Sequence, residues 1–434
     1  MKKTELSDDI ETKTTLIEKI RGSWKILGPG LTTGAADDDP SGIATYSQAG
    51  AQHGFRFLWM SVFSFPLMAV VQEMCARIAL VTGRGLAANI RLHFPRKMLY
   101  GSTGLLFFAN ALNIGADLGM MAAAAKLLIP QMPFAFGVIF FAVLSLVLQI
   151  FIPYNKYAKI LKYFAFVLLA YIVSALLVDL PLPEILRGTF IPTIHFDKDT
   201  LLLITAILGT TISPYLFFWQ TSQEVEEQIK DGKTRVVDRM GTTAHEVRNM
   251  RIDVWFGMFF SNIVMFFIIA ACAATLHKSG VTNITSAADA AQALLPIAGP
   301  YASLLFTVGI IGTGLLAIPV LAGSTAYAMA ESFRWKEGLF YTLRQARAFY
   351  GIIIISVIVG LLINFFHLDP IRVLIFSAVC NGIIAPFIIF FIVKISSNKK
   401  IMGEWVNSRS RTFVGWTVFL LMVLAAIGAL YSLL

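Results

Sequence analysis

The stretch GAADDDPSGIATYSQAG, from Gly34 to Gly50, lies inside the first long apolar segment of the chain. It places three consecutive aspartates, Asp37 to Asp39, directly before Pro40. A carboxylate at the depth of a bilayer costs about 3 kcal/mol on insertion scales, so it faces the protein interior or a water-filled cavity. A proline inside a helix removes one backbone donor and clashes with the carbonyl four residues earlier. Together these residues predict a membrane helix that is broken, with a functional carboxylate at the break.

The rest of the chain is as apolar as this segment. Of its 434 residues, 57% are hydrophobic and only 14% are charged, which is typical of a polytopic membrane protein. Runs of about 20 apolar residues are long enough to cross the hydrocarbon core as helices. The composition therefore predicts an all-α protein with eleven transmembrane helices. Their approximate bounds are 24–50, 57–82, 98–129, 133–153, 157–179, 200–227, 251–276, 298–331, 345–366, 370–395 and 412–433.

The basic residues predict how this bundle is oriented. With the N-terminus in the cytoplasm, the cytoplasmic segments hold 28 Lys or Arg residues and the opposite side holds 5. This bias follows the positive-inside rule and predicts an extracellular C-terminus. The net charge of +9 is then a property of short juxtamembrane loops, and it gives no reason to expect nucleic-acid binding.

A second proline matches the first one in position. Pro214 lies midway through the sixth predicted helix, in LGTTISPYLFFWQTS, five helices after Pro40. Interrupted segments at matching places in two halves are the best sequence pointer to a transporter's binding site. The alternative is that both prolines only kink continuous helices, which is common in membranes. The spacing predicts a cytoplasmic segment, a core of two five-helix halves, and a loop with an eleventh helix. These regions are 1–23, 24–395 (halves of about 24–179 and 200–395) and 396–434.

The residue types at the two breaks predict a site for a hard cation. Asp39 is the best candidate for the charged ligand because it abuts the proline, and the carbonyl of Ala36 can point into the same gap. Thr210, Thr211 and Ser213 can add carbonyl or hydroxyl oxygens from the second break. An all-oxygen set suits Mg²⁺, Ca²⁺ or Mn²⁺. Neither break contains histidine, cysteine or methionine, which argues against softer transition metals.

The three aspartates Asp37, Asp38 and Asp39 cannot all face one point, because three successive helical residues fan over about 200°. We expect Asp38 to line the cavity and to hold a hydrated ion through water, a role less expected of Asp37. The other aspartate is expected to be structural, paired with a basic residue elsewhere.

Other charges within the predicted helices have structural interpretations. Glu73 and Arg77 are spaced i, i+4 and are expected to pair. Asp117 is expected to hold Arg344 or Arg347, with a place on an ion exit route as the alternative. The acidic residues at the end of the sixth helix are expected to be solvated: Glu224, Glu226 and Glu227. The histidines are expected in loops or at helix ends: His53, His93, His195, His245, His277 and His367. The cysteines are expected to be small core residues: Cys75, Cys272 and Cys380.

Three stretches resemble one family. GPGLTTGAADDDPSGIATYSQAGAQHGF is similar to the first helix of the NRAMP family of divalent-metal transporters, whose pattern there includes Asp-Pro-Gly-Asn and Gln-Ala-Gly-Ala-Gln-Tyr-Gly. LVTGRGLAANIR and FSAVCNGIIAPFIIFFIVKISSNKKIMGEWVN fit the family too. The resemblance implies a transporter rather than an enzyme. It also implies eleven helices in a five-plus-five inverted repeat, the LeuT-like architecture, with discontinuous helices 1 and 6.

The site departs from the metal-ion pattern of that family. Asp39 is retained, but the Gly-Asn pair that follows the family's proline is replaced by Ser41 and Gly42, so an amide ligand is missing. The family's sixth helix reads Ala-Thr-Val-Met-Pro-His, and here Ser213 replaces the methionine and Tyr215 replaces the histidine linked to proton coupling. The resemblance therefore implies loss of the soft sulfur ligand.

A further departure lies in the third helix. The family's Asp-Leu-Ala-Glu is here Asp117 to Met120, so a second carboxylate of the proton pathway is missing. Hard oxygen ligands, and the smaller residues Gly42 and Ser213, suit a partly hydrated Mg²⁺. The chain thus resembles the prokaryotic NRAMP-related magnesium transporters, which are understood to carry Mg²⁺ and also Mn²⁺ without proton coupling.

Two other transport functions stay open at this point. One is a proton-coupled manganese or iron transporter of the main NRAMP family, and the other is a sodium-coupled amino-acid transporter of the same fold. A membrane enzyme is disfavoured because no nucleophile–base pair or nucleotide motif is present. The expected partners are a cell membrane and a divalent cation as transported substrate, with no resident cofactor and no nucleic acid. A monomer is compatible with the sequence.

Overall fold

The computed structural model describes residues 28–152, 181–194, 197–295, 299–366 and 368–433, together with residues 169, 172, 173 and 177. The predicted N-terminal segment 1–23 lies outside these described residues. So do His195, His367 and, apart from the four single residues, the predicted fifth helix at 157–179.

Within the described ranges, the regular secondary structure is entirely helical. The α-helices are, in chain order, α1 (Pro29–Asp37), α2 (Pro40–His53), α3 (Trp59–Thr82), α4 (Leu86–His93), α5 (Arg96–Leu128), α6 (Phe134–Phe151), α7 (Leu182–Phe190), α8 (Lys198–Thr211), α9 (Pro214–Lys230), α10 (Val236–Arg239), α11 (Ala244–Cys272), α12 (Ala287–Ala291), α13 (Ala302–Phe333), α14 (Arg347–Ile363), α15 (Pro370–Ser396), α16 (Lys399–Met402) and α17 (Arg409–Leu433). Shorter 3₁₀ turns and one π-helical turn, Ala273–His277, connect them.

Within the described ranges, nine helical segments have the length and apolar composition needed to cross a membrane. They correspond to the predicted helices 2 to 4 and 6 to 11, with α8 and α9 together forming the sixth. The first predicted helix is not among them because it is divided into α1 and α2, which have only 9 and 14 residues. Its division is the break that the aspartates and the proline predicted.

Prolines within the apolar segments have two different outcomes. Pro66, Pro319 and Pro386 lie inside α3, α13 and α15, which continue through them. Pro40 and Pro214 instead begin new helices, α2 and α9. The interpretation of these two prolines as simple kinks is therefore wrong. Proline alone does not break a membrane helix, because neighbouring helices can satisfy the freed backbone groups.

The first half of the first helix, α1, packs backbone to backbone against α11. A Cβ built on Gly34 would lie 2.2 Å from the carbonyl oxygen of Gly257, and one on Gly257 would lie 2.1 Å from that of Gly30. Only glycine allows such an approach, which is a common way for membrane helices to associate. α1 is therefore held by close van der Waals contact along its length.

The N-terminus of α1 has its cap on the same neighbouring helix. The carboxylate of Asp253, on α11, accepts hydrogen bonds from the backbone N–H groups of Gly28 (2.8 Å), Gly30 (2.6 Å) and Leu31 (3.1 Å). The first N–H groups of a helix have no intrahelical partner, and a carboxylate there is also favoured by the helix dipole. Asp253 thus ties the start of α1 to α11.

A buried carboxylate in the middle of α3 joins three helices. Glu73 accepts from Arg77, as its spacing predicted, at 3.4 Å. It also pairs with Arg251 at 3.2 Å and Arg411 at 3.4 Å, and it accepts from Trp255 Nε1 at 3.0 Å. The predicted pair is confirmed, and it belongs to a larger cluster that links α3, α11 and α17.

We expect Glu73→Gln to destabilise the fold by about 2 kcal/mol, because the arginines keep their charge and lose their shared anion. This figure is lowered for the partial exposure of Arg251 and Arg411. The measurement is the thermal unfolding midpoint of the purified protein in detergent. Asp238→Asn is the control, because Asp238 forms an exposed pair with Arg235. Equal midpoints for the Glu73 variant and wild type would contradict the expected role.

The acidic end of α9 is buried, so its predicted solvation is wrong for two of the three residues. Glu224 is 6% and Glu226 is 4% exposed. Glu226 accepts hydrogen bonds from Tyr327 Oη (2.6 Å) and the backbone N–H of Leu339 (2.8 Å). The segment after α13 folds back over this helix end, which the pattern within α9 does not reveal. Glu227 alone pairs at the surface, with Lys230.

Candidate ion-binding site

The two breaks have the same backbone form. Asp38 and Asp39 separate α1 from α2, and Ile212 and Ser213 separate α8 from α9. The first residue of each pair has φ/ψ of −85°/50° or −109°/55°, and the second is extended at −70°/173° or −80°/135°. A following proline favours the extended conformation. At each break the last carbonyls of the preceding helix are left without helical partners and present partial negative charge.

Direct contacts bring the two breaks together. The hydroxyl of Tyr215, at the start of α9, donates to the carbonyl oxygen of Ala36 at 3.1 Å. Gly42 lies between them, since a Cβ there would be 3.1 Å from the Asp37 carbonyl oxygen and 3.4 Å from Thr210 Oγ1. The predicted site residues from the first and sixth helices are thus neighbours.

The Asp39 carboxylate is buried and oriented from two sides. Its Oδ1 accepts from the backbone N–H of Gly42 at 2.6 Å, and its Oδ2 accepts from Asn113 Nδ2 at 2.8 Å. Asn113, on α5, is itself held by Ser377, on α15, whose hydroxyl donates to Asn113 Oδ1 at 2.7 Å. Asp39 is 1% exposed. Such fixed partners orient a ligating carboxylate before an ion arrives.

Sequence reasoning missed Asn113 and Ser377. A signal for Asn113 was present, since it is a polar residue in an apolar helix, four positions before Asp117. Polar residues at bilayer depth usually face the bundle interior and a partner. Ser377 had no comparable signal, because serine hydroxyls commonly bond to their own helix, and Ser377 also donates to Leu374 O.

The hydroxyl groups of the sixth helix donate to its own backbone. Thr211 donates to the carbonyl of Ile207 at 2.8 Å, and Ser213 donates to those of Gly209 (2.6 Å) and Thr210 (2.7 Å). These bonds use the hydroxyl hydrogens and leave oxygen lone pairs. They also close the end of α8, so the oxygens of Thr210, Thr211 and Ser213 are grouped at the break.

The first two aspartates share one hydroxyl. Ser261, on α11, donates to Asp37 Oδ2 at 2.6 Å and lies 3.5 Å from Asp38 Oδ1. Both aspartates are fully buried, and among the described residues nothing donates to Asp37 Oδ1 or Asp38 Oδ2. The basic partner predicted for one of them is therefore wrong, because α11 presents a serine at that place.

Asp117 also lacks its predicted partner. It is fully buried, Arg344 and Arg347 are exposed, and no hydrogen bond reaches either carboxylate oxygen from the described residues. Gly115 packs against the Gly360 carbonyl, late in α14. Arg347 begins that helix, about 20 Å away at 1.5 Å per residue. The pairing prediction is therefore wrong.

The potential ligand atoms at the two breaks are oxygens. Over the described ranges, no three His, Cys, Asp or Glu side chains form a group suited to holding a metal. The four described histidines lie at helix ends or in the first turn of α11, as predicted. The three cysteines are free; Cys75 and Cys272 are buried core residues, as predicted, whereas Cys380 is only half-buried. A cation at the breaks would therefore meet one close carboxylate together with carbonyl and hydroxyl oxygens.

Solved structures share this fold. The manganese transporter of Eremococcus coleocola, in complex with an aromatic bis-isothiourea substituted compound, matches with a TM-score of 0.75 at 20% identity, covering 93% of this chain and 86% of that one. Mhp1, a nucleobase-cation-symport-1 family transporter in a closed conformation, matches with a TM-score of 0.58 at 15% identity, over 93% and 92% of the two chains. These likenesses confirm the LeuT-like fold.

The family relationship is shown by similarity of the amino-acid sequence. Divalent metal cation transporter MntH of Deinococcus radiodurans is 26% identical over 419 residues, which cover 93% of this chain and 89% of that protein. The pattern of the family described as natural resistance-associated macrophage protein-like matches residues 30–432. Because this match spans nearly the whole sequence, the chain belongs to the NRAMP family.

Proposed function

We propose that this protein carries Mg²⁺, and also Mn²⁺, across the cell membrane by alternating access. The observation that carries the proposal is the Asp39 carboxylate, buried where two helix breaks meet and held by Gly42 and Asn113. An anion at bilayer depth without a cationic side chain beside it is costly unless a cation binds there. The names of the relatives, which describe divalent-cation and manganese transporters, support the same class of substrate.

The proposed ligands are all oxygens. Asp39 supplies the charge, Ala36 and Thr210 supply carbonyl oxygens, and Thr211 or Ser213 supplies a hydroxyl oxygen. The Ala36 carbonyl oxygen accepts one hydrogen bond, from the Tyr215 hydroxyl, and keeps a second lone pair for the ion. The remaining positions in the octahedral shell of Mg²⁺ are filled by water, which this ion releases reluctantly.

Two further residues favour a partly hydrated ion. Gly42 stands where the family has asparagine, so no side-chain amide takes the place of a water ligand beside Thr210. Asp38, whose Oδ2 has no donor among the described residues, can accept from a water of the ion's shell. Ser213 in place of methionine removes the soft ligand that favours manganese and iron. Together they favour Mg²⁺.

Transport needs the site to open in turn to each side. In the LeuT-like arrangement we propose, two inverted five-helix halves and an eleventh helix surround the site, with the N-terminus cytoplasmic. The shared backbone form of the two breaks supports such a repeat. Tyr215 and Met120 stand where the family has a histidine and a glutamate, so we propose that protons are not coupled. A membrane potential supplies about 4.6 kcal/mol per 100 mV for a divalent cation, which can drive uptake alone.

The test is Mg²⁺ flux into liposomes that contain the purified protein and a fluorescent indicator. We expect uptake driven by a negative interior potential, competition by Mn²⁺, no acidification of the lumen, and no change when a pH gradient is imposed. Strong Cd²⁺ or Fe²⁺ transport with little Mg²⁺ transport would instead support the main family's proton-coupled function. Sodium-dependent amino-acid uptake would overturn the proposal altogether.

A further inference from the structure

A cavity of about 490 Å³ lies away from the helix breaks, between the outer end of α2, helix α7 and the π-helical turn Ala273–His277. The side chains that line it are largely basic. They include Arg56, Arg187, Lys278, His53, His277 and one acid, Glu184.

The clustering of charge is the first observation. The topology predicted from the sequence places only five Lys or Arg residues on the outer side, and three of them, Arg56, Arg187 and Lys278, line this one cavity. Arg56 and Arg187 form no ion pair within the described part of the chain, and both are exposed. Among the described residues that line it, Glu184 is the single acid, so this lining carries a net positive charge.

The cavity lies beside a helix, α7, that exposes an apolar face. Helix α7 exposes Leu182 (68%), Leu186 (56%) and Phe190 (65%), spaced i, i+4, i+8 on one face. Its other face packs closely on the protein, since a Cβ on Gly188 would lie 2.1 Å from the Phe55 carbonyl oxygen. A short helix with such an apolar face lies at the membrane surface. The basic cavity beside it is therefore at the depth of the lipid headgroups.

We infer that this cavity binds the phosphate of an anionic phospholipid in the outer leaflet. Two guanidinium groups suit a phosphodiester, because each offers paired N–H donors that match two phosphate oxygens. Lys278 adds a third positive charge. The membrane position of α7 favours a lipid over free phosphate as the source.

The bound lipid would act on the outer half of the broken first helix. The cavity wall includes the end of α2, where His277 Nδ1 donates to the carbonyl of Ala51 at 2.8 Å. The wall continues into the turn that starts at Gly54. A headgroup held by Arg56 and Arg187 therefore bridges α2 to α7.

Native mass spectrometry of the full-length protein tests the inference, with phosphatidylglycerol and phosphatidylcholine offered in equal amounts. We expect wild type to retain phosphatidylglycerol preferentially, and Arg56→Gln/Arg187→Gln to bind it about tenfold more weakly, as expected for lost charge-assisted hydrogen bonds. Arg372→Gln is the matched control, because Arg372 is an exposed arginine on the same side that does not line this cavity. It should bind as wild type does.

A second experiment distinguishes a phospholipid from free inorganic phosphate as the bound ligand. Inorganic phosphate is added to the protein in detergent, and the thermal unfolding midpoint is followed. No shift with phosphate, together with retained phosphatidylglycerol, supports the lipid. A shift in wild type that the double variant lacks, without lipid retention, overturns the lipid assignment. Unchanged phosphatidylglycerol binding in the double variant, with Lys278→Gln also unchanged, overturns the site itself.

Discussion

Asp39→Asn is expected to abolish Mg²⁺ uptake into liposomes while leaving the fold intact. Asparagine is as good an N-cap as aspartate, so the bond from Gly42 N–H that starts α2 can be kept. What is lost is the only charge that directly meets the ion in the proposed ligand set. Removing one partner of a buried charge pair costs about 2–5 kcal/mol, which corresponds to a loss of roughly 30- to 5,000-fold in ion affinity. Isothermal titration of Mg²⁺ and the flux assay both measure it.

A second variant separates the charge of Asp39 from its orientation. Asn113→Ala leaves the Asp39 charge in place but removes one of its two fixed donors, so we expect a loss of about 10- to 100-fold in affinity. Asp231→Asn, in the exposed loop after α9, is the matched control for a lost carboxylate. If Asp39→Asn transported Mg²⁺ as wild type does, the proposed site would be wrong. If Asn113→Ala did so, its orienting role would be wrong.

The break in the first helix could be predicted because two local signals agree there. Proline alone does not suffice, as the continuous helices around Pro66, Pro319 and Pro386 show. At Pro40 the preceding aspartate adds a side chain that caps the new helix. At Pro214 the preceding serine instead donates to the carbonyls of the helix that ends there. The signals for both breaks therefore lie in the local sequence around each proline.

Contacts between distant segments were harder to predict. Asn113 reaches Asp39 across 74 positions, and Ser377 reaches Asn113 across 264. The burial of Glu226 depends on a loop 113 residues later. The error on Asp117 has the same origin, because charge complementarity suggests a partner but does not show which turn of α14 lies nearby. Composition and local pattern determine helices, and packing decides which polar groups meet.

The N-terminus of α1 shows how this packing bears on transport. α1 has only nine residues and no side-chain cap of its own, and Asp253 on α11 accepts from three of its first backbone donors. In the proposed mechanism the helices around the breaks rearrange, so these hydrogen bonds favour the docked position of α1 against α11. Their loss would release α1 while Asp39 keeps its hydrogen bonds from Gly42 and Asn113.

Asp253→Ala is therefore expected to weaken the docking of α1 by about 2 kcal/mol, the upper range for a lost charged cap, and so to raise its local opening roughly thirtyfold. Hydrogen–deuterium exchange of a peptide covering residues 29–37 measures this directly, because exchange reports local opening. Asp253→Asn keeps an acceptor oxygen and should give an intermediate rate. Asp238→Ala, on the exposed helix α10, should leave exchange in α1 unchanged. If α1 exchanged equally in wild type and Asp253→Ala, close glycine packing at Gly34 and Gly257 would be sufficient to hold it, and the carboxylate would have no part in keeping α1 docked.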